Sequence, residues 1–236
     1  MSQADTPEVP KPRGTSRRTV VAAGLGAVAV ATGVGAYLAL SPSRGPEPAY
    51  ADSSLSELLE KGPLPENTLG SETAPVTIIE YSSMTCPHCA NFHKEVLPGL
   101  KEKYIDTGKV RYIIREFPLD NLAAAAFMLA RCSGPEKYFP VIEAFYAKQQ
   151  VWAFGKEGTP VDRLFDMAKQ TGFTRANFDK CLSDQKLLDG IVAIRERGSK
   201  SFGVNSTPTF FVNGKLLKGG RNLKAFEDLM EPYLKG

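Results

Sequence analysis

Four cysteines stand among the 236 residues of the chain, and two of them, Cys86 and Cys89, are separated only by Pro87 and His88. That spacing lets both sulfurs meet within one turn of helix, so one thiolate can attack a mixed disulfide held on the other and release it. At a helix N-terminus the unpaired N–H groups and the positive end of the macrodipole favour thiolate over thiol, and Cys86 is the residue placed to benefit. Cys89, one turn further in, is then shielded and less acidic. Pro87 suits the first helical turn, where a missing N–H costs little. His88 can donate a hydrogen bond or carry charge beside the thiolate. Zinc is the competing chemistry, because Cys86, Cys89 and His93 have ligand-like spacing. A structural zinc site needs four closed ligands, however, and no fourth stands nearby in a paired motif. No metal and no cofactor is therefore expected, and His93 reads as a partly exposed helix residue.

The flanking residues supply the elements such a site requires. Pro75-Val76-Thr77-Ile78-Ile79-Glu80-Tyr81, rich in β-branched and aromatic side chains, reads as a buried strand running into the motif. After it Phe92, Val96, Leu97 and Leu100 recur at helical spacing, with Pro98 a kink. Val110–Phe117 reads as a second strand, so residues 75–117 form a β-α-β unit with parallel pairing and a right-handed crossover expected. Residues 119–200 show no convincing strand; their periodicity predicts five helices, at Leu122–Cys132, Phe139–Gln150, Pro160–Gln170, Arg175–Leu182 and Leu187–Ser199. Thr209–Val212 and Leu216-Leu217 flank Asn213-Gly214, a type I′ hairpin signal, and Leu223–Leu234 closes as a helix. The expectation is one α/β domain over residues 74–236 with an all-helical subdomain inserted at about 119–200, preceded by a Pro- and Ser-punctuated linker and lead-in at 52–73 with one short amphipathic piece at Leu55–Glu60.

The other two cysteines, Cys132 and Cys181, lie within apolar helical patterns, a packing context rather than an electropositive helix start. Whether they bond or stay as two buried thiols depends on the compartment. Val20–Leu40 is a run of 21 residues without a charge, behind Arg17-Arg18, and long enough to span a bilayer as a helix. Its Gly- and Ala-rich composition suits an export signal at least as well as a retained anchor, and either sends the remainder to the outer side of the inner membrane. Ser16-Arg17-Arg18-Thr19-Val20-Val21 resembles a twin-arginine signal, with Ala49-Tyr50-Ala51 a small-x-small cleavage site, so residues 1–51 are read as signal or anchor. Export tips Cys132 and Cys181 towards a structural disulfide. The hydrophobic share of 42% with 23% charged residues is that of a globular chain. Five basic and three acidic side chains fall in residues 1–51, leaving +1 of the net +3 for the rest. With no basic stripe carrying interleaved aromatics, nucleic acid is excluded as a partner.

Strand, Cys-Pro-His-Cys, long helix, helical insertion, then Thr207-Pro208-Thr209-Phe210-Phe211-Val212-Asn213-Gly214 resembles the DsbA family of periplasmic disulfide oxidoreductases, over roughly residues 64–236. The resemblance implies a thioredoxin-like fold in which Cys86 is the nucleophile, Cys89 the resolving thiol and Pro208 a cis-proline facing the disulfide. A cis bond there would hold the Thr207 backbone where an extended substrate can pair with it. Glu80 matches the acidic residue that the family buries beneath the site to assist proton transfer at Cys89; its other reading is an ordinary strand-end carboxylate. The implied partners are reduced, unfolded exported proteins and a membrane DsbB-like reoxidant, with the chain itself a monomer at the periplasmic face. Thr207 departs from the valine that many DsbA oxidases carry and is common in disulfide isomerases, yet residues 41–73 leave no room for an isomerase dimerisation domain. The reading is thus a disulfide oxidase first, an isomerase or reductase second, and a redox-inert peptide-binding module as the alternative of another class.

Overall fold

All seven residues of the strand that leads into the cysteine motif are buried, which requires cover on both of its faces. A computed structural model of the chain describes residues 53–235 and shows what supplies that cover. In order, the elements are α1 (Leu55–Leu58), β1 (Asn67–Leu69), β2 (Val76–Ser82), α2 (Pro87–Glu95) and α3 (Leu97–Leu100), which runs into a π-helical turn at Lys101–Ile105. Then come β3 (Val110–Glu116), α4 (Asn121–Cys132), α5 (Pro135–Ala147), α6 (Gln149–Trp152), α7 (Pro160–Gln170), α8 (Arg175–Leu182) and α9 (Gln185–Phe202). The chain closes with β4 (Thr209–Val212), β5 (Lys215–Leu216) and α10 (Leu223–Leu234).

The strands form one five-stranded mixed sheet in the order β1-β3-β2-β4-β5, with β2 at its centre. β2 pairs parallel with β3 and antiparallel with β4. Because strand side chains alternate in direction, Val76 and Ile78 join the larger core with Tyr112, Ile114, Phe210 and Phe226. Ile79 and Tyr81 join a smaller core on the opposite face with Leu58, Ile113, Phe202 and Phe211. Glu80 and Ser82 share the parity of Ile78, so they lie on the face of the larger core, the one that also takes up Cys89 and Phe92 of α2. This is a thioredoxin-like α/β fold with helices between β3 and β4. α9 can lie tightly on the second face because Gly198 has no side chain: a Cβ there would come within 2.6 Å of the Tyr81 ring. Asn213 and Gly214 both take positive φ, 45° and 86°, the conformation of a type I′ turn between β4 and β5.

The structure differs from the sequence expectations in three places. Residues 53–73 hold more than the short amphipathic piece, which forms α1: β1 lies there too and pairs antiparallel with β3. Arg115 on β3 anchors them, donating to the Leu58 carbonyl at 2.5 Å and to Glu66 at 2.9 Å. Between β3 and β4 there are six helices rather than five, because the long amphipathic stretch expected at 139–150 ends at Ala147 and restarts as the short α6. Pro98 does not kink a continuous helix but falls in the first turn of α3, after a break at Val96. The candidate export segment at 1–51 lies outside the described residues, among which no helix is long and apolar enough to cross a membrane.

Candidate active site

Cys86 is the N-cap of α2, with extended backbone (φ −84°, ψ 118°) and Pro87 directly after it. The fold therefore sets its sulfur against the positive end of the helix. Both cysteines of the motif are free thiols, Cys86 5% exposed and Cys89 fully buried. The Thr207–Pro208 peptide is cis, and the Cys86 thiol donates to the Thr207 carbonyl at 3.2 Å. Thus β4's approach, 121 residues later in sequence, closes the site over the motif.

The two sulfurs have opposite electrostatics. The Cys86 thiol is held down to about 5, first by the hydrogen bond from the Cys89 thiol and, against the cost of burial, by the Thr207 side chain and the backbone N–H groups of Cys89 and His88. Burial pushes Cys89 well up, and the hydrogen bond to Cys86 and the nearby Glu80 charge add to it. His88 is exposed, and its backbone N–H is among the groups that lower Cys86.

Beneath Cys89 the face shared by Glu80 and Ser82 holds a buried polar network. Ser82 Oγ donates to Glu80 Oε1 at 2.6 Å, the Tyr112 hydroxyl donates to Glu80 Oε2, and His93 Nε2 lies 3.1 Å from the same oxygen. Tyr146 of α5 meets Ser82 Oγ at 2.7 Å. Burial raises the Tyr112 and Tyr146 hydroxyls well above the usual phenol range, which keeps them as donors. Glu80 is 0% exposed, so it is no ordinary strand-end carboxylate. His93 was expected to be partly exposed and is 6% exposed, its ring turned to Glu80 and tilted 36° to that of Tyr146 at a centroid distance of 4.4 Å. Among the described residues no cluster of three or more histidine, cysteine, aspartate or glutamate side chains is placed to hold a metal.

Two further residues fix the loop before α2. Gln149, at the start of α6, donates to the Met84 and Cys86 carbonyls at 2.8 and 2.9 Å. Asp120 accepts from the Thr85 hydroxyl at 2.6 Å while capping α4 through Ala123 N–H at 2.7 Å. The helical insertion is thereby tied to the motif it covers. Neither residue was marked by the sequence, although Asp120 sits where an N-cap aspartate belongs. Away from the site, Cys132 and Cys181 are bonded, joining α4 to α8 across 49 residues of sequence. Closing a span of that length stabilises a fold by about 4 kcal/mol in the chain-entropy picture.

A C-x-x-C pair at a helix N-terminus, facing a cis-proline over a mixed sheet, defines a thioredoxin-like thiol–disulfide exchanger. Residues 64–231 match the family model described as Thioredoxin. The chain is 34% identical to a protein-disulfide oxidoreductase of Rickettsia bellii over 71% of this chain and 69% of that one. It spans 52–54% of four other Rickettsia proteins of that description. Disulfide bond formation protein D of Bacillus subtilis is 27% identical over 71% of this chain and 77% of its own. The crystal structure of Wolbachia pipientis alpha-DsbA1 superposes with a TM-score of 0.68 at 34% identity, over 77% of this chain and 96% of that one. The chain belongs to the DsbA family of protein thiol:disulfide oxidoreductases.

Proposed function

We propose that this oxidoreductase introduces disulfide bonds into reduced, unfolded exported proteins by exchange through Cys86 and Cys89. The observation that carries the reading is the asymmetry of the two sulfurs, one stabilised as thiolate at a helix terminus and the other buried and basic. A substrate thiolate attacks Cys86 Sγ of the oxidised pair, the Cys86–Cys89 bond breaks, and Cys89 leaves with the electron pair and takes up a proton. A second substrate thiolate then attacks the substrate sulfur of the mixed disulfide, and Cys86 leaves as a stabilised thiolate. Two electrons pass from the substrate to the cysteine pair, and the low affinity of Cys86 for a proton makes it the better leaving group. Glu80 beneath Cys89 supplies and receives the proton there, while Pro87 starts the helix that sets the Cys86 sulfur. The Thr207 backbone, whose carbonyl faces that sulfur, is the pairing edge for an extended substrate.

Residues 1–51 act as export signal or anchor in this reading, which places the chain in the periplasm or on the outer face of the inner membrane. It works there as a monomer, and a membrane DsbB-like protein returns the pair to the disulfide. Incubation of the oxidised protein with reduced, unfolded ribonuclease tests the reading. Substrate disulfides are expected to appear in step with reduced Cys86 and Cys89. Faster rearrangement of scrambled ribonuclease than oxidation of the reduced form would favour the isomerase reading that Thr207 suggests. Neither activity would leave a redox-inert binding module.

A further inference from the structure

Cys89 presents a difficulty for the exchange just described, on which this inference rests. A thiol pushed well up by burial is a poor leaving group as a bare thiolate, so breaking the Cys86–Cys89 bond quickly requires a proton to reach a sulfur with no exposure of its own. Glu80 can supply one proton but is itself 0% exposed, and its supply has to be renewed from solvent for every turnover. The side of α2 that carries His93 offers a route. A cavity of about 480 Å³ lies between α2, α3 and α5, lined by His93, Leu97, Pro98 and Tyr146, with Lys94, Lys101 and Glu143 as its charged members. Lys94, Pro98 and Glu143 are exposed, so the cavity reaches water. His93 belongs both to this cavity and to the network: its Nε2 is 3.1 Å from Glu80 Oε2, and its Nδ1 is buried without a hydrogen-bond partner.

We propose that His93 is the proton gate of the site, exchanging protons between the cavity and Glu80 so that Cys89 can be protonated and deprotonated without opening the active-site face to water. When Cys89 leaves, its sulfur takes a proton through Ser82 Oγ, which hydrogen-bonds Cys89 and lies 2.6 Å from Glu80 Oε1. Glu80 is replenished at Oε2 from His93 Nε2, and His93 Nδ1 is reprotonated from the cavity. An imidazole can do this because one nitrogen donates while the other accepts. The flow reverses when Cys89 is reoxidised: one proton moves each way per cycle and no electron uses the route. Tyr112 and Ser82 are hydrogen-bonded to Glu80, and Tyr146 to Ser82 in turn; the two phenols order the path. His93 is in this sense a positioning and relay residue; it touches neither sulfur.

The test is the single-turnover reduction of the oxidised full chain by reduced substrate, sampled by acid quench, for wild type, H93A and H93Q, with and without added imidazole. Both variants are expected to slow the step by about 10²-fold, the contribution of a positioned proton carrier. Added imidazole, entering by the cavity, should restore H93A in a concentration-dependent manner and leave wild type unchanged. Glutamine keeps a hydrogen bond to Glu80 but cannot pass a proton, so H93Q should stay slow even if H93A fails to fold. A wild-type rate in H93Q, or a slow H93A that imidazole does not rescue, would overturn the gate and leave the exchange reading standing. A wild-type chain that does not oxidise the substrate would overturn both.

Discussion

Replacing Cys89 with alanine is expected to arrest exchange with a disulfide-bearing substrate halfway: the Cys86 thiolate breaks the substrate disulfide, one substrate sulfur leaves as thiolate, and the other stays bonded to Cys86 in a mixed disulfide that Cys89 no longer resolves. In the wild type the resolving sulfur sits within the same helical turn, and well-oriented neighbours act at an effective concentration of roughly 10⁵ M or more against the millimolar thiols available in solution. Losing it should slow release of the captured protein by at least about 10³-fold on that comparison. Non-reducing gels and mass spectrometry of the captured species check this, with Cys86→Ala as the variant that captures nothing. Cys89→Ala also removes the largest support of the Cys86 thiolate, the hydrogen bond from Cys89. Cys86 in Cys89→Ala should therefore titrate above its wild-type position, as read from thiolate absorbance. Capture of substrate on Cys132 or Cys181 instead would contradict the assignment of the exchange pair.

The second large effect is on stability against pH. The folded reduced protein holds Cys86 at about 5, below the ordinary thiol value of 9.0. A depressed folded-state value contributes stability that is complete above the unfolded-state value and is lost as pH falls through about 5. Relative to Cys86→Ser, the reduced wild type should thus gain on the order of 2 kcal/mol at pH 7, after allowance for the solvent that reaches the sulfur. At about pH 4 that gain should vanish, because both states then carry the proton. Urea unfolding of the two reduced proteins at the two pH values measures it. A gap of equal size at both would show that the site does not stabilise the Cys86 thiolate.

Much of this arrangement was legible in the sequence because it rests on local rules. The run from Val76 to Tyr81, the motif and the apolar spacing after it specify strand, turn and helix in that order, and Asn213-Gly214 specifies its hairpin through the φ values that only such residues adopt easily. The burial of His93 was also present in principle. It stands four residues after Cys89, on the same face of α2, so a shielded Cys89 implies a shielded His93. Alternation along β2 likewise puts Ser82 on the side of Glu80.

What escaped the sequence is what depends on distant partners. β1 is three residues long and intermediate in burial, and it exists as a strand because the free edge of β3 pairs with Leu69, Thr68 and Asn67. Gln149 has no local signature. Its value lies in two carbonyls more than sixty residues earlier, which only the return of the helical insertion over the motif brings within reach. Tyr112 and Tyr146 read as ordinary core aromatics until the register of β3 and the packing of α5 turn their hydroxyls towards the Glu80 network.

The reduction potential of the Cys86–Cys89 pair, measured by equilibration with glutathione buffers and thiol trapping, tests the central assignment most directly. A thiolate stabilised on Cys86 makes the reduced form the favoured one, so the account predicts an oxidising couple, well above about −200 mV and able to pass its disulfide to unfolded proteins. A couple near about −270 mV, the range of reducing thioredoxins, would contradict it and make the chain a reductase.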